Sequence, residues 1–275
     1  VLLCTPLGGS MIQPSGVRQT AAVAALALIA LACTCGSLPG FFSPDTDAPP
    51  VYTYEGSLGE GQFDSYTARF TVTFEGTNQD TNKPASLDLR MDIAARRQPA
   101  QASTMTMLTV EGLDFFVGVK GSTVTAEEAV VFLDGMFYQR SDLSGDQEEA
   151  DCDTWPQEDA PFEADDLMSY AILGDVISDA LYEAGELQRV EPNEWINGVE
   201  ARHYRLEDVM LSDLQISGTT IDVWVARAGG YVVRVVVDGQ STEESGVVGP
   251  ITLTYDLLSA NVPVDITIPE GCGGK

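Results

Sequence analysis

The sequence predicts an α+β domain built on an antiparallel sheet. Three observations predict it. Several runs alternate apolar and polar residues, short turns join them, and one stretch carries helical spacing.

Ser65 to Glu75 puts Tyr66, Ala68, Phe70, Val72 and Phe74 on one face and Thr67, Arg69, Thr71, Thr73 and Glu75 on the other. That is the period of a half-buried strand. Thr77 to Lys83 is a polar turn, after which Leu87, Leu89, Met91 and Ile93 alternate with Asp88, Arg90 and Asp92. A third strand is expected over Thr104 to Glu111. Val130 to Leu133 and Met136 to Arg140 read as a hairpin, because Asp134-Gly135 supplies the positive φ of a tight turn. Later strands are expected over Leu187 to Glu191, Val199 to Leu206, Thr220 to Arg227, Tyr231 to Asp238 and Pro250 to Leu258. Ala228-Gly229-Gly230 joins two of these as a hairpin, and short connections imply antiparallel pairing.

The helix is expected over Asp166 to Ala184. Leu167, Tyr170, Leu173, Ile177, Ala180, Leu181 and Ala184 recur at helical spacing, and Gly185 stands where a helix-ending glycine belongs. Between strands and helix, Ser141 to Asp166 is crowded with carboxylates and reads as a long acidic loop. It lacks the Asp-x-Asp-x-Asp-Gly pattern of a calcium loop, so a solvated loop is the better reading.

Charge excludes one class of function. The chain has 14 Lys+Arg against 42 Asp+Glu, a net charge of −28. Phosphate backbones repel such a surface, so no nucleic-acid partner is expected. Self-repulsion also disfavours association, and a monomer is expected.

The first residues carry an address. Residues 1–10 lie upstream of a plausible start at Met11 and are set aside as an extension. Met11 to Thr20 holds one positive charge, and Ala21 to Ala32 is an unbroken run of small and aliphatic residues. That run is too short to span a bilayer, which needs roughly 20 residues, and has the length of a signal-peptide core. Ile29-Ala30-Leu31-Ala32-Cys33 resembles the bacterial lipobox, whose cysteine receives diacylglycerol; Ala30 stands where leucine is usual. Residues 11–32 are thus read as a lipoprotein signal peptide and Cys33 as the lipidation site. Plain secretion with cleavage near Ala32, or a retained anchor, are the alternatives. Residues 33–60 follow as anchor and flexible tether, rich in Gly, Ser, Pro and Asp up to Pro50.

An exported chain can form disulfides, and with Cys33 lipidated a Cys152–Cys272 bond is expected. Cys35 is left over.

Motifs for catalysis are missing. His203 is the single histidine, which excludes a zinc site of several imidazoles. There is no Gly-x-Ser-x-Gly elbow, P-loop or Gly-x-Gly-x-x-Gly. In the strand reading His203 shares a face with Ala201 and Arg205, opposite Tyr204 and Leu206, and is taken as structural. Carboxylate pairs are too many to be informative. No enzyme activity, cofactor or metal is expected.

The order of elements resembles the LolA/LolB-like lipoprotein superfamily, close to its LppX/LprA/LprF/LprG-type branch. The residues that carry it are the lipobox and tether, the opening strand Asp64 to Phe70, the segment Trp195-Ile196-Asn197-Gly198-Val199-Glu200-Ala201-Arg202-His203-Tyr204, and the ending Asn261 to Pro269. The resemblance implies a LolA-like lipid-binding domain over residues 61–272. Its sheet would be a curved antiparallel half-barrel with helices covering the concave face and an apolar cavity between. It implies a non-catalytic binder or carrier of a lipid or glycolipid, held at the outer face of the cytoplasmic membrane or in the periplasm, in reach of other envelope proteins. Phe70, Phe74, Met91, Met105, Met107 and Phe137 are the candidate ligand lining; an envelope scaffold with a filled core is the alternative.

Overall fold

Twelve strands form one antiparallel sheet in a computed structural model that describes residues 49–97, 101–111, 125–144, 151–160, 174–212 and 214–272. In chain order they are β1 (Val51–Thr53), β2 (Ser65–Asn78), β3 (Lys83–Arg96), β4 (Ala102–Glu111), β5 (Thr125–Leu133), β6 (Met136–Ser144), β7 (Asp151–Pro156), β8 (Glu186–Ile196), β9 (Val199–Leu211), β10 (Ile216–Ala226), β11 (Val232–Ser241) and β12 (Val247–Ala260). Across the sheet the order is β1-β8-β9-β10-β11-β12-β2-β3-β4-β5-β6-β7. Two meanders lie side by side, β2 to β7 and β8 to β12, joined where β12 pairs with β2. The sheet is curved and open, with β1 and β7 as its edges.

The protein is mostly β rather than α+β. Helices, in the plural, are expected over the concave face; among the described residues there is one α-helix, α1 (Gly174–Ala184), besides three single-turn 3-10 segments. Only one stretch of the sequence carries helical spacing, and the others were implied by the resemblance alone. The earlier part of the expected helix lies outside the described residues.

Alternation decides which side chains are buried. Tyr66, Ala68, Phe70, Val72 and Phe74 of β2 are all buried, as are Leu87, Met91, Ile93 and Ala95 of β3. They join Tyr204, Ile221, Val223, Val235, Leu253 and Tyr255 in one large apolar cluster, and Ile177, Ala180 and Leu181 of α1 pack into it. These three helix positions, spaced by three and one, form the single stripe that a helix on a sheet must bury. Tyr54 ties the N-terminal segment to the helix: its hydroxyl lies 2.8 Å from Ser178 Oγ, and its ring meets Tyr182 edge-on. Gly185 ends the helix at φ 70°, its N–H donating to Leu181 O.

The tight turns follow their residues. Asp134-Gly135 and Asn197-Gly198 take positive φ at both positions, as a type I′ hairpin requires. The seam between the meanders uses glycine differently. A Cβ on Gly249 would sit 2.2 Å from Glu75 O, and one on Gly76 would sit 2.3 Å from Val248 O. These two backbones approach more closely than any side chain allows.

The expected acidic loop is corrected in part. Ser141 to Ser144 completes β6, and Asp151–Pro156 forms β7 against it, with Phe137 opposite Trp155. An edge strand can expose one face, so the exposed carboxylate of Asp153 does not oppose strand formation. Ahead of the expected domain start at 61, Val51–Thr53 pairs with β8, and Tyr54 and Leu58 are buried.

Cys152 and Cys272 form a disulfide, Cα–Cα 5.5 Å, across a sequence separation of 120. The chain leaves β12 at Ala260 and runs to that bond as a strap. Asn261 Oδ1 accepts from Asp64 N, Asn261 N donates to Ser65 O, Ser65 Oγ donates to Val262 O, and Ile266 packs with Ala102 and Val131. Disulfides persist in oxidising compartments, which agrees with an exported protein. No helix among the described residues is long and apolar enough to cross a membrane. Residues 11–32 and Cys33 lie outside the described residues.

Candidate functional site

The candidate lining divides between two places. Phe70 stands directly opposite both Met91 of β3 and Tyr255 of β12, and Phe74 stands opposite Leu87. Phe70, Phe74 and Met91 are 2%, 4% and 2% exposed, all within the large cluster. Phe137 is buried elsewhere, against Val130 and Phe132, with Trp155 and Ala160 beside it. The register puts Met105 opposite Ile93 and Met107 opposite Met91; their side chains lie outside the described residues.

The opposite face of the sheet is polar and organised in a row. Successive cross-strand partners run His203, Trp224, Arg234, Asp256, Arg69, Asp92 from β9 to β3. Aligned strands bring such positions within side-chain reach, so charges along the row can alternate and pair. Arg234 Nε meets Asp256 Oδ1 at 2.6 Å, and Arg69 Nε meets Asp92 Oδ1 at 2.6 Å. Burial opposes ionisation of Asp92, but hydrogen bonds and charge from Arg90 and Arg69 outweigh it and hold its carboxyl below the usual range.

His203 is the most enclosed polar group of this row. Its ring stacks on the Trp224 indole, 4.5 Å between centroids and 9° between planes. Nε2 hydrogen-bonds Asp222 Oδ1. Nδ1 lies 3.1 Å from Glu194 Oε1, a charge contact without hydrogen-bond alignment. The other oxygen of Glu194 accepts from Trp224 Nε1 at 3.2 Å. Asp222 also accepts from Arg205 Nε at 2.7 Å and Nη2 at 3.0 Å. Burial again opposes its ionisation, yet the bonds and charges of His203 and Arg205 hold its carboxyl below the usual range. The Arg205 guanidinium is held protonated more firmly, chiefly by the bond to Asp222, against some burial.

Carboxylates flank both imidazole nitrogens, and the residue is only 5% exposed, so neither nitrogen is presented to a substrate. A base must reach the proton it removes. Among the described residues, no group of three or more His, Cys, Asp or Glu is placed to hold a metal ion.

Asp222 and Glu194 were not distinguishable in the sequence from the other carboxylates. The available signal was the matching alternation of β9 and β10, which puts His203, Arg205, Asp222 and Trp224 on polar positions of neighbouring strands. Reading it required the register.

Fold and site together define a mostly β protein whose open antiparallel sheet carries one apolar and one largely polar face. No family model and no curated protein matches the chain. Among solved structures it is similar to the crystal structure of a DUF1329 family protein from Desulfovibrio piger, at 10% identity and TM-score 0.24, over 76% of this chain and 89% of that one. A likeness that low carries no argument about function.

Proposed function

We propose that the chain is an exported lipoprotein, anchored through Cys33, whose LolA-like sheet binds or carries a lipid or other apolar ligand without catalysis. The observation behind this reading is the large apolar cluster shared by β2, β3, β8 to β12 and α1, downstream of an export signal that ends in a lipobox-like cysteine. Acyl chains would bind by leaving water, at about 0.8 kcal/mol per buried methylene. The unbranched Met91 beside Phe70 suits an irregular guest, since methionine adapts its shape cheaply. A neutral headgroup fits the acidic surface better than an anionic one. His203 and its carboxylates would stiffen the sheet from the other side.

The second reading is a scaffold with a filled interior. It is favoured by the near-complete burial of Phe70, Phe74 and Met91 by the protein itself.

Two measurements test the proposal. Native mass spectrometry of the purified protein should show a co-purifying or added lipid; a chain that binds none is the scaffold. Replacing Cys33→Ser should move the protein from the membrane fraction to the supernatant, and retention on membranes would count against the anchor.

A further inference from the structure

We infer that Ser103 is the polar anchor of the bound lipid: its hydroxyl donates to an uncharged carbonyl oxygen, of the ester class, that enters the apolar face with an acyl chain. The inference rests on the lipid-binding reading above and deepens it by naming the chemistry of the ligand.

The register places Ser103 on the apolar face. Its neighbour Ala102 packs with Val131 and Ile266 on the other side of the sheet, and successive side chains of a strand point to opposite faces. Directly across from Ser103 stand Ala95 of β3 and Phe132 of β5. The row continues to Tyr66 on one flank and to Phe137 and Trp155 on the other. Two small side chains thus lie side by side between aromatic ones. Ala95 belongs to the large apolar cluster and Phe132 to the separate one around Phe137. An acyl chain that runs across the sheet from one cluster to the other passes over Ser103.

Small side chains alone would not make a site. The hydroxyl among them is the second observation. Ser103 is 0% exposed, and among the described residues its Oγ has no hydrogen-bond partner. A buried hydroxyl in that condition is destabilising, and alanine would fit the same space without that cost. Gln101, Arg97 and Asp134 are the polar residues two positions farther toward the rim. Gln101 and Arg97 are engaged elsewhere, with Arg97 Nη1 donating to Phe63 O at 2.8 Å, and Asp134 is exposed. A buried water needs roughly two to four polar groups around it. The side chains directly across supply none, and the backbone of β4 is paired on both sides.

The chemistry of the partner follows from what the site can satisfy. A carbonyl oxygen only accepts, so one O–H serves it and no donor is left over. A ligand hydroxyl or amide would bring a further donor, and Ala95 and Phe132 offer it no acceptor. A carboxylate would bring a charge into apolar surroundings, in a chain whose net charge of −28 already repels anions. An acylglycerol ester meets these terms, being uncharged and carrying its carbonyl beside the first methylenes of the chain.

The test uses the full chain, freed of lipid, with monooleoylglycerol and its ether analogue oleylglycerol offered together at equal concentration. The two differ in one carbonyl. Native mass spectrometry reads the ratio of the two bound species. Wild type should favour the ester about 2–10-fold more than Ser103→Ala does, the worth of one hydrogen bond. Equal ratios in the two proteins overturn the anchor and leave the lipid reading standing. Binding of neither lipid to wild type overturns both. The melting temperatures of the lipid-free proteins supply a second readout. Ser103→Ala should melt no lower than wild type, because it removes a hydroxyl that has no partner. A lower value means that the hydroxyl is bonded within the protein, and it overturns the anchor.

Discussion

Replacing Asp222 with Asn removes one charge and keeps the shape of the side chain. In the wild type this carboxylate accepts from His203 Nε2 and from two nitrogens of Arg205. A hydrogen bond to a charged group is worth about 1.5–3 kcal/mol. The three are not additive. Arg205 is 41% exposed and can turn to water, whereas the His203 side chain is 6% exposed and cannot. The amide also offers a single acceptor where two donors compete. The loss should be about 2–3 kcal/mol, below the 3–5 kcal/mol of breaking a fully buried pair. Acid should shrink it. The folded-state pKa of Asp222 is lowered, so its contribution is complete above the unfolded value of about 3.9 and is lost as pH falls through the folded one. Urea unfolding of both proteins at about pH 7 and at about pH 3, below the unfolded value, gives the comparison. A difference under about 0.5 kcal/mol near neutrality, the scatter of ordinary surface substitutions, would refute the account. So would a difference that widens on acidification.

Other perturbations address separate parts of the molecule. Replacing Cys152 and Cys272 with Ser frees a ring of 120 residues, worth about 5 kcal/mol by chain-entropy arithmetic; a drop in the urea midpoint, and faster protease cleavage between Asn261 and Cys272, should both follow. Gly249→Ala drives a methyl group into the backbone of β2 and should cost about 1–3 kcal/mol, the range for overpacking, read as a lowered melting temperature. An unchanged melting temperature would mean that the seam is looser than its geometry indicates.

The strands that were legible in the sequence are those with one buried and one exposed face. β2 and β3 alternate for most of their length, and Tyr66, Ala68, Phe70, Val72, Phe74, Leu87, Met91 and Ile93 are buried as the alternation predicts, with Leu89 half-buried. The turns at Asp134-Gly135 and Gly229-Gly230 were legible because backbone sterics leave few residues able to make them. β7 was not, since an edge strand buries little; Trp155 is its main apolar contribution, among charges that read as loop. The strand expected over Leu187 to Glu191 stops one residue before Pro192, which has no N–H to give. The strand continues to Ile196 through a register shift between Val190 and Glu194, where a missing donor does no harm. The pairing of β12 with β2 had no local signal at all. The same holds for the polar network: His203 and Asp222 meet only after the register of β9 on β10 is set, and no spacing along the chain records it.

The seam also orders the assembly of the molecule in time. Within each meander, neighbours in the sheet are neighbours in the chain, and such hairpins close quickly. The β12–β2 ladder joins the last strand to the first long one and must wait. During synthesis from the N-terminus, β2 spends that interval as a bare edge, with its N–H and C=O groups open to any extended segment. A chain stopped before Val247 would keep two such edges, on β2 and β11, however well each half had formed. Completion and protection from mispairing therefore arrive together, with a single strand.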